Sequence, residues 1–308
     1  MTKHTESGAN NGDLSAARQL TQAVCSVIAG LTEQNLFEAF PLGNQQDYLK
    51  QLLKSGIPLF EPEQVTISKN LSQQAFSMLL RALTDHMPEA AQDLTTLQRT
   101  FDEGALSPHD LLMITLEHRW SELRQCALTL SVDVELLQFF TLYLARPFRQ
   151  QAAERLANLI DYHNWRQGYC PVCGHCAVLG RQGAPEGQRW LWCCCCNTQW
   201  RFARLQCAFC LNQVQQDLGY LTVEAFPGRR IYVCDKCKRY LKVIESGNDQ
   251  FEAPFDYDLE YFCAVELDRI AVSEGYVAQP IWVLPYESPI PTAVLTGKLS
   301  SRPVVLDR

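Results

Sequence analysis

Four Cys-x-x-Cys units fall within 68 consecutive residues: Cys170 and Cys173 in YCPVCG, Cys193 and Cys196 in CCCC, Cys207 and Cys210 in QCAFCL, Cys234 and Cys237 in VCDKCK. Nothing else in the chain restricts its fold so tightly. Two intervening residues let the backbone turn sharply and aim both sulfurs at one ion. Two such knuckles supply a tetrahedral S4 shell, which suits zinc or iron. The ligands are thiolates, so binding competes with protons. A segment of this size has too little core to fold alone, and bound metal is expected to carry its stability.

Eight ligands make two sites. Sequential pairing gives C-x2-C-x19-C-x2-C followed by C-x2-C-x23-C-x2-C, close to the spacing of zinc ribbons. That predicts two tandem ribbons, each with knuckles on hairpin turns. Crossed pairing, first unit with third and second with fourth, is the alternative. Of the 14 cysteines, only Cys25 and Cys126 lie outside residues 170–263. In a reducing compartment such clustering points to metal binding rather than to a disulfide framework.

The remaining thiols are ambiguous. Cys176 follows Cys173 at the same spacing and offers a substitute ligand. The resulting C-x2-C-x2-C run is also found in bacterial ferredoxins, but Gly180 stands where that pattern needs its next cysteine. Pro171 and Gly174 favour Cys170 and Cys173 as the knuckle. His175 is expected to be solvated, and Cys25, Cys126 and Cys263 to be buried thiols. Cys194 and Cys195 are surplus inside the second knuckle.

Before residue 160 the pattern is helical. Leu14, Ala17, Leu20, Val24, Val27, Ile28 and Leu31 recur at three- and four-residue steps after a candidate cap at Asp13. A short helix is expected near 45–54, stopping at Gly56, and IPLFEPEQ reads as a loop. Further helices are predicted over 71–86 with Asn70 as cap, over 88–102 with Pro88 in the first turn, and from Ser107-Pro108 through Leu128. A last one covers 133–160, kinked or divided at Pro147. These apolar stripes need no cofactor and read as core.

DYHNWRQG breaks that pattern. Short alternating runs follow at 190–192, 199–205, 219–225, 231–233 and 240–244. Helical spacing returns from Leu259 to Ala271, ending near Gly275, and the proline-rich tail from Val277 reads as extended. The expected fold class is α+β and multi-domain. It divides into a disordered start (1–12), an all-α helical amino-terminal domain (13–165), two small metal-binding β subdomains (166–205 and 206–250), and a short carboxy-terminal helix with an extended tail (251–308).

Charge is uneven. Residues 161–245 carry eleven Lys/Arg against six Asp/Glu, although the whole chain has a net charge of −7. The cysteine-rich part is thus the basic part. The polar start MTKHTESGANNGDLS has no apolar core of a signal peptide. No stretch of about 18 apolar residues appears, so a cytoplasmic location is expected, without a membrane span. G-x-S-x-G, Walker A and H-E-x-x-H motifs do not occur.

Taken together, CPVCG, CCCCNTQW, QCAFC, CDKCKRYLK and LDRIAVSEGY, in that order, resemble the bacterial formate dehydrogenase accessory protein family, FdhE. The resemblance runs from Tyr169 to Tyr276, and the helical half matches in length and character only. It implies a non-enzymatic maturation factor for respiratory formate dehydrogenase, acting on the catalytic subunit in the cytoplasm. It also implies two rubredoxin-like sites of four cysteines each, with iron favoured and zinc the alternative. By position the ligands are Cys170, Cys173, Cys193, Cys196, Cys207, Cys210, Cys234 and Cys237. The sequence departs from the rubredoxin pattern after the knuckles. Glycine follows only at Gly174, whereas Asn197, Leu211 and Lys238 take that place elsewhere.

Two other function classes fit the residues. A zinc-ribbon protein could bind nucleic acid through a basic face carrying Trp190, Trp192, Trp200 and Phe202, against the acidity of the remaining chain. An oxidoreductase could use the vicinal thiols Cys194 and Cys195, if they are exposed.

Overall fold

The computed structural model describes residues 11–41, 46–157, 162–183, 187–246 and 255–280. The expected disordered start lies outside the described residues up to residue 10, as does the extended tail from residue 281. Seven helices come first: α1 (Asn11–Thr32), α2 (Gln46–Lys54), α3 (Lys69–His86), α4 (Ala91–Asp102), α5 (Pro108–Leu116), α6 (Trp120–Leu130) and α7 (Val134–Ala157). They pack as a bundle in which α1 lies on α3 and α7, and α5 on α3 and α7. Phe76 anchors its centre, with the rings of Phe101 and Phe140 each 5.1 Å away.

Local chemistry accounts for most of the boundaries. Ser107 accepts the Asp110 amide at 3.2 Å with proline at the next position, so α5 starts where expected. α3 is capped by Ser68, not Asn70, whose amide donates to the Ser68 hydroxyl. α1 begins at Asn11, which puts Asp13 inside it. The single helix expected from Ser107 through Leu128 is two helices, because His118 takes a left-handed φ of 58° between them. α7 runs unbroken through Pro147. Its residues between Leu136 and Phe148 are buried almost all round except Phe139, so packing on every side holds the helix across the missing amide.

The cysteine-rich part forms one six-stranded sheet in the order β3-β2-β1-β6-β5-β4. The strands are β1 (Leu179–Gly183), β2 (Gln188–Trp192), β3 (Gln199–Phe202), β4 (Leu218–Thr222), β5 (Arg229–Cys234) and β6 (Arg239–Glu245). Each half of the sheet is an antiparallel meander with the same order: knuckle, strand, strand, knuckle, strand. The two ribbons are therefore not merely tandem. β1 pairs with β6 in parallel, Gly180 opposite Val243, and this seam fuses them edge to edge.

Two short helices, α8 (Tyr257–Cys263) and α9 (Val265–Ser273), replace the single expected one and meet at Ala264. α8 lies against α1, and α9 against β6. A bidentate pair between Arg146 of α7 and Asp258 of α8, at 2.5 and 2.6 Å, ties this segment to the bundle.

Candidate metal centres

The knuckles converge in sequential pairs. The sulfurs of Cys170, Cys173, Cys193 and Cys196 form one group and those of Cys207, Cys210, Cys234 and Cys237 another, all within 4.8 Å of one another in each group. The crossed pairing is not what the fold builds. In the first group the Sγ–Sγ distances are 3.4 Å for Cys170–Cys196 and 3.5 Å for Cys173–Cys193 and Cys173–Cys196. In the second, Cys207–Cys237 and Cys210–Cys234 are both 3.7 Å apart. A disulfide would need about 2.05 Å, and all these cysteines are free. Sulfurs at about 2.3 Å from a tetrahedral ion are about 3.8 Å apart. The donor set and its spacing fit a four-coordinate zinc or iron ion at each site.

All four knuckles share one backbone form. The residue after the second cysteine has a left-handed φ: 77° at Gly174, 61° at Asn197, 56° at Leu211 and 55° at Lys238. Its amide donates to the first cysteine's carbonyl at 3.0, 2.9, 3.1 and 2.8 Å in turn. In the leading knuckle of each pair an amide also points at sulfur, Val172 to Cys170 and Phe209 to Cys207, each at 3.4 Å. The departure from glycine seen in the sequence does not alter the turn.

The environments of the two sites differ. The first group is buried within the main apolar core, and Cys193 to Cys196 all belong to it. Two backbone bonds from the bundle hold its leading knuckle, Leu59 to Pro171 and Phe60 to Val172, both at 2.9 Å. That contact was hidden in IPLFEPEQ, which as a loop gave no sign of a partner. In the second group Cys210 and Cys237 are half-buried, and none of the four joins an apolar cluster.

Protons compete at both sites. Burial pushes the Cys170 and Cys196 thiols well above the ordinary range. At Cys173 and Cys193 burial acts the same way, but hydrogen bonds from neighbouring thiols outweigh it and hold them well below that range. Four sulfurs sharing protons in this way titrate as a set, and a metal displaces the protons that remain. At the second site burial pushes Cys237 up to about 11.

Other expectations change. His175 is fully buried, not solvated; its ring lies 4.8 Å from His118, and its Nδ1 is 3.2 Å from the Cys173 carbonyl oxygen. Cys176 is buried but stands outside the first group. Cys25, Cys126 and Cys263 are only partly buried. Cys194 and Cys195 are both buried, which denies a thiol-exchange reagent the access that chemistry needs. Of the aromatic face expected for nucleic acid, only Trp190 is partly exposed. Trp192 and Trp200 are in the core, with Trp200 Nε1 donating to the Gln167 carbonyl, and Phe202 is buried. Arg181, Arg189 and Lys242 are buried too, so part of the basic excess serves the interior.

No protein-family model matches the chain. Among curated proteins it is 30% identical over 149 residues to "Protein FdhE homolog" of Aquifex aeolicus. It is 33% identical over 137 residues to "Protein FdhE" of Escherichia coli K12. The matched parts cover 47% and 41% of this chain, and the chain spans about half (51%) and 42% of those relatives' lengths. Among solved structures, the crystal structure of the FdhE protein from Pseudomonas aeruginosa superposes with a TM-score of 0.55 at 18% identity, covering 92% of this chain and 99% of that one.

Proposed function

We propose, on the premise that the chain belongs to the FdhE family as its relatives and fold support, that it is an accessory protein for respiratory formate dehydrogenase. In this reading it is not an enzyme. It binds the catalytic subunit in the cytoplasm and helps bring it to its active form. The observation that carries the proposal is the conjunction of relatives named FdhE with two complete four-cysteine groups on an FdhE-like fold.

The eight cysteines act as ligands, Cys170, Cys173, Cys193 and Cys196 for one ion and Cys207, Cys210, Cys234 and Cys237 for the other. Family resemblance favours iron, and the left-handed turns with amides aimed at Cys170 and Cys207 support it. The same donors suit zinc. The bound ions hold the two ribbons in shape, and an iron site adds one-electron chemistry. The division into 13–165, 166–205, 206–250 and 251–308 belongs to this reading: a helical body, two metal-holding units and a closing segment. No helix among the described residues is long and apolar enough to cross a membrane.

The test is a deletion strain of the source bacterium. Formate dehydrogenase activity should be lost while its subunits are still made, and the purified chain should retain the catalytic subunit on an affinity column. Full activity in the deletion strain would refute the proposal. Metal analysis with a visible spectrum separates the ions, since FeS4 sites absorb visible light when oxidised and zinc sites do not.

A further inference from the structure

A groove of about 770 Å³ opens beside β2 and the chain that follows β3. Four arginines line it, Arg166, Arg189, Arg201 and Arg204, and no described carboxylate does. Between them lie the apolar side chains of Phe202 and Leu205, the latter 66% exposed. A small cleft of about 30 Å³ shares Arg189 and Arg204 with the groove and continues to Cys207 and Cys234 of the second sulfur group.

Three of these arginines lack an acidic partner among the described residues. Arg189 is 3% exposed, yet its Nε and Nη2 lack hydrogen-bond partners, and its guanidinium lies 4.1 Å over the Tyr232 ring. Burial lowers its pKa from the usual arginine value. Arg201 is held by a neutral group, donating from Nε to the Gln188 side-chain oxygen at 2.8 Å. Arg204 is exposed and makes no ion pair among the described residues. Several other buried or half-buried cations are matched, Arg146 by Asp258, Arg229 by Glu260 and Lys242 by Asp268. Arg149, fully buried in the bundle, is a second exception, its Nη2 donating to the Thr115 carbonyl, but it does not line this groove. A buried guanidinium with no carboxylate partner among the described residues, and two more arginines along the groove, make this face positive, with apolar footholds. Guanidinium forks pair well with carboxylates.

We propose that this groove docks an acidic peptide segment of a partner protein, with apolar side chains among its carboxylates, and brings it beside the second sulfur site. The inference extends the accessory reading by giving a client a place to bind, but the groove can be tested without that client. The exposed apolar side chain of Leu205, with Trp192 and Trp200 buried and Trp190 only partly exposed, favours a peptide over a nucleic-acid strand, which needs several exposed rings on which to stack.

The test uses the full chain and a fluorescein-labelled peptide of alternating glutamate and leucine, followed by anisotropy. A lysine–leucine peptide and a single-stranded oligonucleotide serve as comparators. The acidic peptide should bind, bind more weakly as salt rises, and lose about tenfold or more of its affinity in the double variant Arg201→Gln/Arg204→Glu. Circular dichroism and metal content should be unchanged in that variant. Equal binding by wild type and variant, no binding by wild type, or preference for the oligonucleotide would each overturn the proposal. So would loss of metal from the variant, which would make the arginines counter-charges for the sulfur site. Should the peptide bind as expected and the catalytic subunit not bind at all, the groove stands and the accessory reading fails.

Discussion

The residue after each knuckle shows how backbone conformation and side-chain identity come apart. In sequence Gly174, Asn197, Leu211 and Lys238 look unequal, yet all four adopt the same left-handed turn. For a leucine or lysine that conformation costs about 1–2 kcal/mol, while glycine adds about 0.4–1 kcal/mol of unfolded-state entropy. Leu211→Gly and Lys238→Gly should therefore raise stability by up to about 1 kcal/mol in guanidinium unfolding of the metal-loaded protein. Asn197 tolerates the turn, and its side-chain oxygen accepts the Trp192 indole at 2.8 Å. Asn197→Gly should lose about 1 kcal/mol instead. At the same scale, four single variants test the run of four cysteines. Serine at Cys193 or Cys196 should cost the first site its metal. Serine at Cys194 or Cys195 should keep it and cost about 1–3 kcal/mol, the penalty for burying a hydroxyl where a thiol sat. Metal content of the four single variants checks this, and equal loss from all four would refute the ligand assignment. The knuckles were legible because ligand spacing is a local constraint. His175 was not, because its burial depends on His118, 57 positions earlier in the chain.

Elements were legible where their signals were local. Ser107-Pro108 opens α5, and β2 to β6 all fall on the expected runs. β1 was invisible because LGRQG holds two glycines, an arginine and a glutamine and shows no alternation. It becomes a strand from its position. It sits between β2 and β6, fully buried, with Arg181 Nε donating to Ser246 and its guanidinium 4.3 Å from the Phe255 ring centroid. A Cβ at Gly180 would come within 3.1 Å of Val243, so even the glycine is set by the parallel neighbour. Between helices, Arg146 is paired with Asp258, and Arg146 is only 2% exposed. Removing one partner of a buried pair leaves the other charge uncompensated, at about 3–5 kcal/mol. Asp258→Ala should lower stability by that amount. Asp47→Ala, at an exposed pair on α2, should change it by less than about 0.5 kcal/mol. Chemical denaturation of the two variants compares them directly.

At the scale of the whole molecule, the two sulfur sites occupy unequal places in one framework. Composition and spacing pointed to two similar ribbons, and nothing in the sequence distinguished their surroundings, because those depend on which face of the sheet meets the bundle. The first site is built into the main core and bonded to the loop at Leu59 and Phe60; the second stands at the periphery with Cys210 and Cys237 half-buried. Loss of metal requires local opening, and opening is easiest where few apolar contacts must part. A chelator should therefore remove metal in two phases, the second site first. The early phase should leave the far-ultraviolet helix signal intact, and the late phase should reduce it as the joint between sheet and bundle loosens. A single phase at equal rates would show the sites to be equivalent. Serine at Cys234 should abolish only the fast phase and serine at Cys170 only the slow one. The sites are also joined directly, since a Cβ at Gly168 would fall 1.6 Å from the carbonyl oxygen of Ala208 in the second site's leading knuckle. Gly168→Ala must push those two knuckles apart, at about 3 kcal/mol or more. If the ribbons act as one rigid body, that variant should speed metal loss from both sites; if each folds on its own metal, only overall stability should fall and the two rates should stay as they were.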